Sequence, residues 1–198
     1  MSPTERIARD ELFALLRRTR PASAERRLAG HEEDLTILAA DSAGFSRKTF
    51  EHGVVRFLAN MTRVYGRVVP LIERHGGAVT TQNADNVLAV FARPHDAVAA
   101  ALAIQAFLAR RNARASEEDR YELCLGVHTG RVLRLRDDVF GAAVNVCAKI
   151  GEDVAKAGET LVTREVRDAT ADRFRYARAG TTTIGGRRIA LWRLRGAR

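Results

Sequence analysis

Two aspartates occupy positions from which carboxylates can hold metal ions. Asp41 follows the apolar run LTILAA at 35–40 and precedes a turn of small residues, and Asp85 lies at the tip of an expected hairpin. Magnesium prefers oxygen ligands and often takes only one or two carboxylates, with phosphate oxygens completing its shell. Two such ions can activate an attacking hydroxyl and stabilise a leaving phosphate. Either aspartate alone is also typical of a turn or a helix N-cap, so the interpretation depends on the residues around them.

The turn after Asp41 is a candidate phosphate-binding element. Residues 42–46 read SAGFS, and small residues let backbone N–H groups approach a chain of phosphates closely. We therefore assign Gly44, Phe45 and Ser46 to triphosphate binding.

The apolar pattern predicts alternating strands and helices around these residues. An amphipathic helix is expected at 3–18, and Pro21 is expected to end it, with a polar linker to about residue 34. The elements expected after the linker are a strand at 35–40, a helix at 47–75 broken near Pro70, a hairpin at 78–91, a helix at 95–115, a pair of strands within 121–135, a helix at 139–157, a strand at 159–163 and two or three strands between 174 and 193.

This order of elements indicates the fold class. It is typical of an α/β (α+β) sandwich of the ferredoxin-like, split βαβ type, here with extra strands at the C-terminus. The expected domain organisation is an N-terminal helix and linker at 1–30 and one folded domain at 31–198.

The composition indicates a globular protein of the cytoplasm. Hydrophobic residues make up 46% of the 198, without an apolar run of membrane-spanning length or the apolar centre of a signal peptide. The net charge of +9 fits an arginine-rich surface or attraction to a polyanion. Zinc-finger spacing and RNP-type aromatic motifs are absent, so no nucleic-acid partner is expected. Cys124 and Cys147 lack metal-ligand spacing and are expected to be buried in a reducing compartment.

Five segments follow one another in an order that narrows the function. They read LTILAADSAGFS, HGGAVTTQNADNVLAVF, LGVHTGRV, DVFGAAVNVCAK and AKAGETLVT. Together they cover roughly residues 33–194 and resemble the catalytic domain of class III adenylyl and guanylyl cyclases. The resemblance implies a cyclase catalytic domain at 31–198, a nucleoside triphosphate substrate and two Mg²⁺ or Mn²⁺ ions per site. It also implies a head-to-tail homodimer with its sites between the chains.

The resemblance assigns roles residue by residue. It implies that Asp41, Ser42 and Asp85 form the metal site and that Asn145 orients the ribose. Lys149 stands where the family has an arginine that stabilises charge in the transition state. Asn145 and Lys149 are four residues apart on an expected helix and so share one face, although lysine lacks the planar fork of arginine.

The expected base pocket departs from that of the adenylyl cyclases in the family. Thr81 occupies the position of their base-binding lysine, Asp138 keeps their aspartate, and Asn83 shares a strand face with Thr81. An Asp138 acceptor with a Thr81 or Asn83 donor satisfies the edge of uracil, while cytosine and guanine also offer groups to Asp138. The short chain and these departures resemble the bacterial pyrimidine cyclases of the Pycsar antiphage systems. That resemblance implies UTP as substrate, with CTP second, and a cyclic nucleotide used as an alarm signal.

Several basic side chains are further candidates. Arg136 stands near Asp138, and Arg187 lies in a region where the family often has a phosphate-contacting cation, so both are assigned to triphosphate binding. His128 lacks ligand partners in the sequence and is expected to be structural.

Three alternatives remain open for the chain as a whole. It can be a conventional adenylyl cyclase with a tolerant pocket, or a catalytically degenerate cyclase-homology domain that dimerises or regulates. Its charge alone suggests a nucleic-acid-binding module as the third.

Overall fold

The chain forms one mixed sheet flanked by helices. The structure is a computed structural model that describes residues 6–83 and 85–198. Its elements are α1 (Arg9–Arg18), α2 (Pro21–Leu28), β1 (Glu32–Ser42), α3 (Phe45–His52), α4 (Val54–Arg74), β2 (Ala78–Asn83), β3 (Asn86–Phe91), α5 (Pro94–Asn112), β4 (Leu123–Arg134), β5 (Val139–Phe140), α6 (Ala142–Lys149), β6 (Thr160–Thr163), α7 (Arg164–Thr170), β7 (Phe174–Ile184) and β8 (Arg187–Ala197). A 3₁₀ turn at Ala29–His31 precedes β1, and a π-helical turn at Ile150–Val154 continues α6.

The sheet contains a ferredoxin-like core. Its strands lie in the order β2-β3-β1-β4-β6-β8-β7, with β5 paired to β4. The first four strands pair antiparallel with one another. α4 lies in the connection from β1 to β2, and α5 lies in the connection from β3 to β4. Beyond β4, the parallel strand β6 and the hairpin of β7 and β8 extend the sheet. The predicted α/β sandwich of split βαβ type with extra C-terminal strands is therefore confirmed.

Helices cover both faces of the central strands. α4 and α5 pack on one face, where Leu38 of β1 and Leu125 of β4 are fully buried. α6 packs on the other face, where Ile37 is buried beside Cys147. Successive residues of β1 thus enter two hydrophobic layers, which explains why this strand is apolar at almost every position. No helix within the described residues is both long and apolar enough to cross a membrane.

The segment after α1 is helical, so the predicted linker is wrong. The first helix does end before Pro21, at Arg18, but Pro21 itself begins α2, and β1 already starts at Glu32. Proline suits the first position of a helix because its missing N–H would have no partner there and its φ is already near the helical value. The part of the first predicted helix at 3–5 lies outside the described residues.

Three other expected boundaries differ from the structure. The break in the predicted helix at 47–75 falls at Gly53, whose φ of 83° interrupts the helix, while Pro70 lies inside a continuous α4. β4 is one strand of 12 residues rather than a pair, because it pairs with β1 along almost its whole length. The helix predicted at 139–157 starts only at Ala142, because the two residues of β5 pair with β4.

Two glycines of the LGVHTG motif let α6 lie directly on β4. A Cβ on Gly126 would stand 2.5 Å from the carbonyl oxygen of Cys147, and one on Gly130 would stand 2.8 Å from the Cβ of Ala143. Larger residues would therefore push α6 off the sheet. His128, between the glycines, has its Nδ1 3.0 Å from the Thr163 hydroxyl, and burial lowers its pKa, which fits a structural role.

Candidate active site

The end of β1 and the tip of the β2–β3 hairpin meet at one point. Because β1 and β3 are antiparallel neighbours, Asp41 and Asp85 extend from adjacent strands. The Ser42 hydroxyl donates a hydrogen bond to the Asp85 carboxylate, and the Tyr65 hydroxyl of α4 donates one to the Asp85 carbonyl oxygen. The three residues assigned to the metal site are thus close together.

The Asp41 carboxyl lies in an acidic environment. Its pKa rises from 3.8 to about 6, first because burial disfavours the charged form and then because the charges of Asp85, Glu152 and Asp153 repel it. A cation that binds beside such a carboxylate stabilises its charged form. The surroundings of Asp41 therefore favour a bound cation.

A cavity of about 550 Å³ opens beside Asp41, between α6 and the sheet. Five residues assigned from the sequence line it, namely Asp41, Thr81, Asn83, Asp138 and Asn145. They come from β1, β2, the β4–β5 turn and α6, so four separate segments converge on one concave surface. Its volume lies within the range of small-molecule sites.

Asp138 is held in place at one side of the cavity. Its Oδ1 accepts hydrogen bonds from the Val139 N–H at 2.8 Å and from the Thr81 hydroxyl at 3.4 Å. Its Oδ2 lies 3.5 Å from a guanidinium nitrogen of Arg9 in α1. A carboxylate acceptor and a hydroxyl therefore stand side by side where the sequence predicts the base pocket.

Two further polar residues line the cavity without having been predicted from sequence patterns. Asn86 is one, and its side-chain oxygen is buried without a hydrogen-bond partner in the described part of the chain. Glu152 of the π-helical turn is the other, and its charge raises the pKa of Asp41. No sequence signal pointed to Glu152, because it falls inside the helix expected at 139–157, whereas the structure has a π-helical turn at Ile150–Val154.

Asn145 and Lys149 lie on the same helix but have different surroundings. Asn145 lines the cavity, whereas Lys149 is not among its lining residues. The Lys149 Nζ lies 2.8 Å from the Asp153 carboxylate, and this hydrogen bond raises the pKa of Lys149. A catalytic role for Lys149 therefore stays a prediction.

The turn after β1 leads into the N-terminus of α3. Gly44 has a φ of 78° there, and α3 begins at Phe45 with no side-chain cap from the described residues. Uncapped N–H groups at a helix N-terminus attract phosphate. The Phe45 ring packs edge-on against Phe57, with ring centroids 4.9 Å apart. The assignment of Gly44, Phe45 and Ser46 to triphosphate binding therefore concerns their backbone groups.

The structure does not bring Arg136 and Arg187 to this cavity. A guanidinium nitrogen of Arg136 lies 3.1 Å from the Glu11 carboxylate in α1. Arg187 lines a second cavity of about 570 Å³, together with Arg164 and Arg188. Contact of either residue with a triphosphate in the first cavity stays a prediction.

The oxygen donors fit Mg²⁺ or Mn²⁺. Within residues 6–83 and 85–198, no three or more His, Cys, Asp or Glu side chains come together as a metal site. Asp41 and Asp85 would offer such an ion two carboxylates, and magnesium sites in proteins often have one or two, with phosphate oxygens and water as the other ligands.

Two curated proteins are similar to the chain in sequence, while no family model matches it. It is 32% identical over 146 residues to putative adenylate cyclase 3 of Rhizobium meliloti (strain 1021), a match that covers 74% of this chain and 24% of that protein. It is 31% identical over 166 residues to the serine/threonine-protein kinase pkn2 of Myxococcus xanthus, covering 78% of this chain and 19% of the kinase. The chain thus spans a quarter or less of the length of these relatives.

Solved cyclase structures share the fold. The adenylate/guanylate cyclase/hydrolase from Silicibacter pomeroyi matches with a TM-score of 0.72 at 29% identity, covering 82% of this chain and 96% of that one. The guanylyl cyclase Cya2 matches with a TM-score of 0.73 at 23% identity, covering 84% and 94%. The structural neighbours of the chain are class III adenylate and guanylate cyclase domains. The likeness to the two cyclases of 29% and 32% identity supports a nucleotide cyclase function.

Proposed function

We propose that the chain is a nucleotide cyclase domain that converts a nucleoside triphosphate into its 3′,5′-cyclic monophosphate and pyrophosphate. The observation that carries the proposal is that Asp41, Thr81, Asp138 and Asn145 line one cavity, with Asp85 hydrogen-bonded to the neighbouring Ser42. This cavity combines acidic groups suited to metal ions with polar groups suited to a base. The likeness to cyclase structures supports the same reaction class.

Each residue has a defined task in this reaction. Asp41 and Asp85 would hold two divalent ions, which would supply the Lewis acidity that lowers the pKa of the 3′-hydroxyl and offsets charge on the pyrophosphate. Asn145 holds the ribose so that the 3′-oxygen faces the α-phosphorus. As the 3′-oxygen gives up its proton to solvent and bonds to the α-phosphorus, the bond from phosphorus to the pyrophosphate oxygen breaks. Lys149 and the N–H groups of α3 offset the charge that develops.

The test of this function is an assay for cyclic product with Mn²⁺. We expect the wild type to form a cyclic nucleotide and Asp41→Asn to lose at least about 100-fold in rate, because even the partners of metal ligands contribute 10- to 100-fold. Asp34→Asn is the matched control, since Asp34 is an exposed acid on the same strand. Equal rates for wild type and Asp41→Asn would contradict the proposal.

The proposed substrate is UTP, with CTP second, and the proposed role of the product is an antiphage alarm signal. Asp138 offers an acceptor to the N3–H of uracil, and Asn83, or Thr81 once its hydroxyl turns from Asp138 to the base, offers a donor to the uracil carbonyl oxygens. No lysine is among the described residues that line the cavity, whereas N1 of adenine requires a donor. A site that hydrogen-bonds one edge rejects analogues with mismatched groups, so these residues disfavour adenine. The choice of a pyrimidine over guanine rests on the resemblance of the altered pocket to the pyrimidine cyclases.

Two other functions are each favoured by one observation. The 32% identity to putative adenylate cyclase 3 favours a conventional adenylyl cyclase, for which ATP would be the best substrate of the wild type. The lysine at position 149 and its ion pair with Asp153 favour a catalytically degenerate domain. Such a domain would gain thermal stability from a nucleoside triphosphate and Mn²⁺ but would form no product.

The proposed active form is a head-to-tail homodimer. In that arrangement each site takes Asp41 and Asp85 from one chain and the base contacts and α6 from the other. Asp41 and Asn145, which line one cavity within a chain, would then serve two different sites of the dimer. The positions of Lys149 and Arg187 outside the single-chain cavity agree with it, because a second chain can bring both to the triphosphate.

A further inference from the structure

We propose that Arg9 of α1 is a positioning residue that narrows the choice of base by orienting Asp138. This inference rests on the proposed function, in which Asp138 contacts the base. It gives α1, which lies outside the ferredoxin-like core, a part in the base pocket.

Arg9 contacts both acids of the turn that carries Asp138. Its guanidinium lies 3.5 Å from the Asp138 Oδ2, and its backbone N–H donates a hydrogen bond of 2.8 Å to the Asp137 Oδ1. The Asp138 side chain is 14% exposed and that of Arg9 is 58% exposed. The cation therefore approaches the carboxylate from the solvent side of the pocket.

α1 itself is fixed against this turn. Ile7 and Leu12 are buried together with Leu135. The backbone N–H of Arg136 donates a hydrogen bond of 2.9 Å to the Ile7 carbonyl oxygen, and its guanidinium pairs with Glu11 at 3.1 Å. Arg9 is thus held in register with Asp138 by packing that does not involve its own side chain.

The two oxygens of Asp138 have different partners. Oδ1 accepts from the Val139 N–H and the Thr81 hydroxyl, while Oδ2 faces Arg9. Without the guanidinium, Oδ2 loses its cation and the carboxylate can rotate, so the acceptor and the Thr81 hydroxyl no longer present one fixed pattern to a base. Discrimination between bases depends on that pattern. An ion pair this exposed contributes little to stability, so its loss is expected to change selectivity rather than folding.

The test measures dissociation constants for the four 3′-deoxynucleoside triphosphates with Mg²⁺ by titration calorimetry. These nucleotides lack the attacking hydroxyl, so their affinities do not depend on turnover. For Arg9→Ala we expect the ratio of dissociation constants between the second-best and the best base to fall about threefold to fivefold. This corresponds to the free energy of an exposed ion pair. Arg9→Lys should keep most of the ratio, because it keeps the cation.

Arg6→Ala is the matched control. Arg6 lies three residues earlier and pairs with Glu33 at 3.1 Å, so this variant loosens the same segment without touching Asp138. The inference is overturned if Arg6→Ala lowers the ratio as much as Arg9→Ala does, or if Arg9→Ala leaves it unchanged. It is also overturned if Arg9→Ala still changes selectivity in an Asp138→Ala background, where the two effects should not add. A wild type that prefers one base but forms no cyclic product would contradict the proposed function alone.

Discussion

At the residue scale, the Asp41 carboxyl links the stability of the metal-free chain to pH. Its pKa is raised from 3.8 to about 6 in the folded chain, chiefly by burial. As pH rises, the unfolded carboxyl ionises first and the folded one keeps its proton longer. The folded state therefore loses stability between about pH 4 and pH 6, and above that window the charged carboxylate destabilises it.

We expect Asp41→Asn to be more stable than the wild type at pH 7 without metal. A pKa raised by about two corresponds to about 3 kcal/mol in the free energy of unfolding. Solvent screening of a half-exposed group reduces this to about 1 kcal/mol. The difference should shrink at pH 4, where the wild-type carboxyl is largely protonated. Urea denaturation at both pH values measures it, and equal stability at pH 7 would contradict this role of Asp41.

The identity of the side chain at position 81 should set base preference. We expect Thr81→Lys to raise the rate with ATP and lower the rate with UTP, because the ammonium supplies the donor that adenine N1 requires. Thr62→Lys is the control, since it adds the same charge on an exposed face of α4. Rates with paired substrates at equal concentration measure the preference, and an unchanged ratio of ATP to UTP turnover would exclude a role for Thr81 in the base pocket.

Most polar residues of the cavity could be predicted because each stands in a short motif whose order along the chain is informative. Asp41, Thr81, Asp138 and Asn145 all belong to such segments. Glu152 could not be assigned in this way, because it reaches the cavity only through a π-helical turn that changes which residues face the sheet. The ion pair of Lys149 depends on the same turn, because its partner Asp153 lies in it.

At the element scale, the contact of α6 with β4 positions Asn145. We expect Gly126→Ala to destabilise the chain by about 1–3 kcal/mol, because the new Cβ would stand 2.5 Å from the Cys147 carbonyl oxygen. Gly66→Ala on α4 is the control. No heavy atom lies within 4 Å of its Cβ position among the described residues, so it should be neutral or stabilising by up to about 1 kcal/mol. Equal urea midpoints for the two variants would contradict the tight contact.

The boundaries of elements were harder to predict than their type. Pro21 is compatible with the end of one helix and the start of another, and only the packing of α2 decides between them. The helix break was expected at Pro70 but occurs at Gly53, because a glycine with a φ of 83° interrupts hydrogen bonding more completely than this proline does. The strands of the core were predictable because apolar runs of this length bury both faces.

At the scale of the whole molecule, the head-to-tail homodimer predicts complementation between inactive variants. Asp41→Asn and Asn145→Ala damage opposite halves of a shared site, so a mixed dimer contains one intact site. Random mixing should then restore about a quarter of wild-type activity, since half of the dimers are mixed and each has one of two sites. Co-expression with two different affinity tags measures this.

A control pair separates complementation from mere mixing. Asp41→Asn and Asp85→Ala damage the same half, so their mixture should stay inactive. The cavity of one chain already contains both Asp41 and Asn145. Absence of recovery in the first mixture, with mixed dimers present, would therefore indicate a site within one chain.

The measurement that tests the central claim most directly is a product assay with all four substrates. The purified chain is incubated with Mn²⁺ and ATP, GTP, CTP or UTP in turn, and cyclic products are identified by mass spectrometry. We predict cyclic UMP, with cyclic CMP as the lesser product. Cyclic AMP or cyclic GMP alone would contradict the pyrimidine assignment, and no cyclic product from any of the four would contradict a nucleotide cyclase.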